Sequence, residues 1–263
     1  MTKLFNVVKK PKQTSPPPAP TAMESAAYLD VTYSVERAPF GPYPKQLATK
    51  IAKQHLPPKG RVLDMGCGRG EYLSAFADLG YDVAGVDISP SAPSLAENFD
   101  VRVANLDQED MPFDAESFDV VFSKSVIEHT RTPQVLIQKA FDALAPGGTA
   151  VIMTPSWMHT HWGPFYCDHT HVTPFTKTAL EDIMFLTGFE KIQVDYLTQL
   201  PWLWQNPWAG PLVSLVRKLP IAYRPMHDAP WSNDINKFIR FANELMLVAV
   251  AKKPNLVKNE VKP

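Results

Sequence analysis

Disulfides, membrane spans and an excess of charge of one sign are all missing from this chain. Two cysteines, Cys67 and Cys167, are spread over 263 residues. They cannot build a disulfide framework, which points to cytosolic chemistry. The longest clean apolar run, Leu245 to Ala251, is far short of the roughly 20 residues a spanning helix needs, and the Lys- and Pro-bearing N-terminal stretch lacks a signal-type apolar core. The expectation is a cytoplasmic protein with peripheral membrane contact at most. Lysine and arginine number 26 against 27 aspartates and glutamates, for a net charge of −1. No global positive field exists to gather nucleic acid, so RNA or DNA is not the expected partner.

What is present is apolar content enough, 45%, for one sizeable core plus a modest cap. Residues 1–25, with Lys9, Lys10, Lys12 and Pro16-Pro17-Pro18, cannot bury enough surface to order themselves and read as a tail. An aromatic and proline-rich segment with a helix fills 26–60. From Arg61 the pattern becomes regular: strand 61–66, helix 70–79, strand 81–86, helix 89–98 opened by Ser89-Pro90, strand 100–104, strand 118–123. A helix follows with Thr132 as N-cap and Pro133 at its first position, burying Val135, Leu136, Ala140, Phe141 and Leu144. Strand 149–153, a helix from Thr176 to Thr187 ended by Gly188, strand 190–196 and a last strand 245–251 complete the series. Strands alternating with helices predict an α/β fold, a doubly wound parallel sheet whose ligand lies beyond the carboxyl ends of the strands. The core spans 61–196 and its last strand 244–254, with a short tail at 255–263.

The strand-to-helix turn Asp64-Met65-Gly66-Cys67-Gly68-Arg69-Gly70-Glu71 carries the most information. Glycines at alternate positions let the backbone come within van der Waals reach of a ligand. Asp87, at the end of the next strand, is placed to accept hydrogen bonds from ribose hydroxyls. A dinucleotide fingerprint needs glycine at the first, third and sixth places, but here the sixth is Glu71, whose carboxylate would face a diphosphate. With Asp64 adding a second anion, the turn suits a cation bearing an ammonium and a sulfonium, S-adenosylmethionine.

Here the sequence resembles the class I S-adenosylmethionine-dependent methyltransferases, whose first motif reads acidic-x-Gly-x-Gly-x-Gly. The resemblance covers about residues 60–195 plus the final strand, and implies a seven-stranded Rossmann-like sheet whose last two strands form a reversed hairpin. It implies that Asp64, Gly66, Cys67, Gly68 and Gly70 hold the methionine half of the cofactor, Asp87 the ribose, and Ile88 the adenine. Asn105 to Phe113 resembles the family's Asp-x-x-x-Leu-Pro-Phe element, giving Asp107 and Gln108 to the adenine edge. Ser123, ending the fourth strand, joins the cofactor set. The pre-motif segment folds over the cofactor in the family, which makes Tyr33 and Arg37 candidate lid residues, with simple packing on the core as the alternative.

Acceptor chemistry points to histidines. His129, in Val126-Ile127-Glu128-His129, stands where the fourth strand opens into the cleft and titrates near neutral pH, as a base for an alcohol must; the alternative is a histidine that shapes the loop. Four of the seven histidines, His159, His161, His169 and His171, fall within thirteen positions beside Tyr166 and Asp168. In related methyltransferases a His-Val-x-Pro-Phe-Thr segment borders the acceptor pocket, and His171 to Thr176 matches it. His171 and His129 are therefore the catalytic candidates, with helix-entry packing the rival role for His171. Ubiquinone-pathway and small-RNA methyltransferases bind a divalent ion through Glu-x-x-Glu-His, and Glu128-His129 with His169 or His171 could supply ligands. Ser125 stands where the first glutamate would be, so no metal is expected.

Residues 197–243 separate the last two strands by more than a hairpin loop and carry Trp202, Trp204, Trp208 and Trp231. They read as a cap: a lid over an apolar or sugar-bearing substrate first, then a homodimer interface, then an interfacial membrane patch. The resulting expectation is O-methylation of a small-molecule or glycan acceptor. An RNA-modifying enzyme of the same fold and a non-catalytic cofactor-binding scaffold are the alternatives. The tract from Arg224-Pro225-Met226-His227-Asp228 through Ile239-Arg240-Phe241 suggests bacterial enzymes acting on surface sugars.

Overall fold

The computed structural model describes residues 38–219 and 234–255, together with 29, 34, 35 and 221. The tail at 1–25, Tyr33, Arg37, the tract 224–228 and Trp231 lie outside the described residues.

Helix α1 (Tyr43–His55) precedes strand β1 (Arg61–Met65), α2 (Glu71–Ala77), β2 (Asp82–Asp87), a short α3 (Ala92–Leu95) and β3 (Asp100–Val103). Then come β4 (Phe118–Lys124), α4 (Pro133–Ala143), β5 (Leu144–Pro155), α5 (Trp157–Thr160), α6 (Lys177–Thr187) and β6 (Glu190–Thr198). The excursion before the last strand folds into α7 (Pro201–Gln205), a 3₁₀ turn at Pro207–Ala209, α8 (Gly210–Val216) and α9 (Asp234–Asn243), and β7 (Leu245–Lys252) closes the sheet.

The seven strands lie in the order β3-β2-β1-β4-β5-β7-β6, with β7 antiparallel to both neighbours and the other pairs parallel. This is the seven-stranded, doubly wound sheet with a reversed final pair that the sequence predicts. The chain builds outward from β1 to β3, then returns to lay β4 on the other side of β1. Connections leave in opposite directions at that point, and in doubly wound sheets the ligand crevice lies there, beyond the carboxyl ends of β1 and β4.

Helices cover both faces, so the central strands are almost wholly buried instead of alternating. Leu63, Met65, Val121 and Ile152 pack with Leu136, Ile137 and Ala140 of α4 and with Leu180 and Met184 of α6. On the opposite face Val62, Val120, Phe122 and Met153 pack with Leu47 and Ile51 of α1 and Phe76 of α2. Asp64, two residues after Val62 on a period-2 strand, therefore lies on the α1–α2 side at the crevice.

Several local expectations shift. The helix read over 89–98 shrinks to Ala92–Leu95, because Ala96 leaves the helical region (φ −124°, ψ 42°) to pack with Cys67 and Leu73. Thr132 precedes α4 but makes no capping bond; its hydroxyl donates to Asp107. The buried stripe of α4 is Pro133, Leu136, Ile137, Ala140 and Ala143, which leaves Val135 off it and exposed. Thr176 does cap α6, accepting from the Ala179 N–H at 3.2 Å, and Gly188 ends it at φ 102°. The excursion is fastened from within: the Trp204 indole donates to the Thr198 carbonyl at 2.8 Å and packs on Tyr43, while Arg217 donates to the Thr198 hydroxyl and the Ala242 carbonyl.

Gly66 sits at φ 84°, and a Cβ there would come within 2.2 Å of Val126 Cγ2. Left-handed strain and overpacking together predict that Gly66→Ala lowers stability by about 2–4 kcal/mol. Gly41→Ala, where a Cβ meets nothing within 4 Å, should stay within about 0.5 kcal/mol. Urea denaturation of both variants checks the difference.

Candidate active site

The turn between β1 and α2 is held by its own amides. Gly66 N–H donates to the Val86 carbonyl at 2.7 Å, Cys67 N–H to the same oxygen at 3.2 Å, and Gly70 N–H to Cys67 at 2.9 Å. Gly68 N–H donates to Asp87 Oδ2 at 2.8 Å, while Ser89 N–H donates to Asp87 Oδ1 at 2.8 Å. Gly66, Gly68 and Gly70 all have positive φ, which their missing Cβ allows. With these four amides committed internally, the turn has little left to offer a diphosphate. The side chain of Cys67 is buried against Leu73 and Ala96, so its part is to pack the turn onto β2. Burial pushes its thiol pKa well above the ordinary range.

The charge around the turn is acidic and only partly compensated. Asp64 is buried, and its Oδ2 finds no hydrogen-bond donor among the described residues. Burial, then the nearby Asp87, pushes its pKa up to about 8, with Lys124 pulling the other way. Burial also raises the pKa of Asp87 above the usual carboxylate range, against the amides of Ser89, Gly68 and Ile88. A buried carboxylate without a donor is costly, and a ligand ammonium would relieve that cost. The residues present therefore fit S-adenosylmethionine, with Asp64 for the amino group and the spare lone pairs of Asp87 for hydroxyls.

Of the remaining cofactor candidates, Ile88 is half-buried directly after Asp87. Asp107 accepts from Arg131 N–H at 3.1 Å and from the Thr132 hydroxyl at 3.2 Å, tying its loop to the start of α4, and Gln108 is exposed. Ser123 is fully buried and its hydroxyl donates to the Met65 carbonyl at 2.9 Å, which stitches β4 to β1. Lys124, the next residue, is a group that sequence reasoning missed. It ends β4 half-buried, its ammonium 5.9 Å from the centre of the Tyr72 ring, and burial lowers its pKa against the pull of Glu128, Glu71 and Asp64. A lysine closing a strand whose centre is Val120-Val121-Phe122 was the available signal.

Beyond Lys124 the backbone turns sharply, with Ser125 at φ 58°, and the next turn brings Glu128 and His129 against the loop before α6. Glu128, His129 and His171 each offer a ligand atom within 4.8 Å of the others. Glu128 is fully buried, accepts from the Thr154 hydroxyl at 2.9 Å through Oε2, and leaves Oε1 without a donor among the described residues. Burial raises its pKa to about 7. His171 Nδ1 lies 2.6 Å from the Phe165 carbonyl, which can only accept, so Nδ1 carries the proton and Nε2 the lone pair. The Thr170 hydroxyl donates to Asp168 Oδ1 at 2.5 Å and so accepts from His129 Nδ1 at 2.8 Å; His129 too has its lone pair on Nε2. Burial and the neighbouring His171 lower the pKa of His129. Burial alone would raise that of Asp168, but the Thr170 bonds and the two histidines hold it down.

The structure splits the thirteen-residue histidine cluster. His171 joins His129, their rings 4.6 Å apart. His159 instead meets the Ser156 hydroxyl at 2.9 Å and the Tyr196 ring, while His161 and His169 are exposed.

The model of a family described as "Methyltransferase domain" matches residues 40–194. The chain belongs to the class I S-adenosylmethionine-dependent methyltransferases. It is 33% identical over 112 residues to a ubiquinone biosynthesis O-methyltransferase of Coxiella burnetii, covering 40% of this chain and 48% of that protein. It is 37% identical over 115 residues to a tRNA U34 carboxymethyltransferase of Hahella chejuensis, covering 40% and 36%. The chain thus spans less than half the length of these curated relatives. Phosphoethanolamine N-methyltransferase 2 of Haemonchus contortus, in complex with S-adenosyl-L-methionine, shares the fold with a TM-score of 0.60 at 20% identity, over 88% of this chain and 60% of that one. The methyl donor of this enzyme is S-adenosylmethionine.

A proton count tests the place of Asp64. From the ordinary carboxylate range, about 4, up to about 8, the ligand-free side chain holds a proton that a bound ammonium expels. Cofactor binding at pH 6.5 should release protons, read by calorimetry in buffers of different ionisation enthalpy, and release should fade above pH 8. Asp64→Asn should lose the release and about tenfold in affinity.

Proposed function

We propose that the enzyme methylates an oxygen of a small-molecule or sugar acceptor, with His171 as the base. The observation that carries this reading is the convergence of Glu128, His129 and His171 at the end of β4, one residue turn from the crevice where Asp64 and Asp87 stand. S-adenosylmethionine supplies a methyl group on an already activated carbon, so the chain's own residues have to align the acceptor, exclude water and remove one proton. Because the Phe165 carbonyl holds Nδ1–H of His171, its Nε2 faces the acceptor hydroxyl and takes the proton as the oxygen–carbon bond forms. His129, kept neutral by burial and oriented through Thr170 and Asp168, packs edge to face on the His171 ring and holds its orientation. The O-methyltransferase named among the relatives supports an oxygen acceptor. The balance of 26 basic and 27 acidic residues favours a small acceptor over the tRNA named for the Hahella protein.

A second reading is favoured by Glu128 Oε1, which has no donor among the described residues. With two imidazole lone pairs beside it, a divalent cation at this place would hold the acceptor oxygens, and His171 would be its ligand.

His171→Ala should lower kcat about 10²- to 10⁴-fold while S-adenosylmethionine affinity, measured by calorimetry, stays within about twofold; equal loss of both would make the residue structural. Exhaustive EDTA treatment separates the two readings. Retained turnover supports His171 as base, and loss restored by added divalent metal supports the cation.

A further inference from the structure

Between Asp195 and Asp228 the chain has no acidic residue, although 27 of its 263 residues are acidic. The same stretch carries Arg217, Lys218 and Arg224. Its described part holds two kinds of apolar side chain. Trp204, Ala209 and Val213 face inward, with Ala209 and Val213 buried and Trp204 bonded to Thr198. Trp202, Trp208, Leu212, Leu215, Leu219 and Ile221 face outward, each with more than two-fifths of its surface in water. The two tryptophans meet edge to face, ring centres 6.2 Å apart. Leu212, Leu215 and Leu219 follow one another at i, i+3 and i+7 along one face of α8 and the turn after it, opposite Val213. Lys218 is exposed beside Leu219.

We infer that this face docks the enzyme onto an anionic phospholipid surface. Contiguous exposed apolar side chains mark an interaction site, and the charge pattern selects the occupant. Tryptophan settles at headgroup depth, leucines reach the acyl boundary, and a basic residue beside them finds lipid phosphate. A second copy of the chain fits poorly. Across a two-fold axis the face meets itself, and the stretch has no carboxylate with which to answer its own Lys218 and Arg217. Arg217 and Trp204 anchor the face to Thr198 at the end of β6, so it is carried on the sheet and does not depend on lipid to form. No helix of the described residues is long and apolar enough to cross a membrane, consistent with contact from one side.

Co-sedimentation of the full chain with phosphatidylcholine vesicles, with and without phosphatidylglycerol, tests this. Binding is expected to the anionic vesicles alone and to weaken with added salt. Trp208→Ser and Lys218→Glu should each lower it about tenfold or more, while melting temperature and S-adenosylmethionine affinity stay unchanged, which separates lost docking from lost folding. Failure to bind either vesicle, or equal binding to both, overturns the inference. So does light scattering that finds a dimer which Leu215→Glu dissociates while vesicle binding persists unchanged.

Discussion

Two carboxylates end adjacent parallel strands at the centre of this sheet, and the site is organised around holding them there. Asp87 is made tolerable by amides: Gly68 and Ser89 each donate to one of its oxygens, which also fixes the glycine turn over the end of β2. Asp64 has no such donor on Oδ2 among the described residues, and burial, then the neighbouring Asp87, pushes its pKa up to about 8. The turn is thereby prepared for a cation and unsuited to a phosphate. Local strain serves the same end, because three left-handed glycines bring the backbone close while directing its N–H groups inward.

The cluster of Glu128, His129 and His171 is built on different physics. Glu128 is wedged beneath the loop that precedes α6, its carbonyl accepting from Val172 and Thr173 amides at 2.8 and 3.0 Å. That backbone clamp fixes His171 relative to His129, and the Phe165 carbonyl and the Asp168–Thr170 pair fix each ring's tautomer. Second-layer bonds of this kind orient imidazoles for either proton transfer or metal ligation. Lys124 lies within electrostatic reach of Glu128, Glu71 and Asp64, so its charge is felt by both the carboxylate at the glycine turn and the one beside the histidines.

The glycine turn after β1 and the place of Asp87 at the end of β2 could be read from sequence because glycine spacing and an acidic strand end are local patterns. The doubly wound sheet followed from the alternation of elements, and its reversed final pair from the family resemblance. The inward turn of Ser123 could not be read, since it depends on the register of β4 against β1. Nor could the meeting of His171 with His129 in preference to His169, or the loss of Val135 from the α4 stripe, because loop closure and helix phase are settled by packing. Lys124 was passed over because one lysine at a strand end ordinarily reaches solvent.

The placement of β7 between β5 and β6 has a consequence for how the chain is assembled. Among the described residues β6 hydrogen-bonds to no strand but β7, and β5 gains its second neighbour from β7. During synthesis both strands therefore wait, with raw edges open to wrong pairing, until the whole tryptophan-bearing excursion has left the ribosome. The nascent enzyme is most vulnerable to aggregation in that interval, when its stickiest surface is already out and the strand that locks the sheet has yet to emerge.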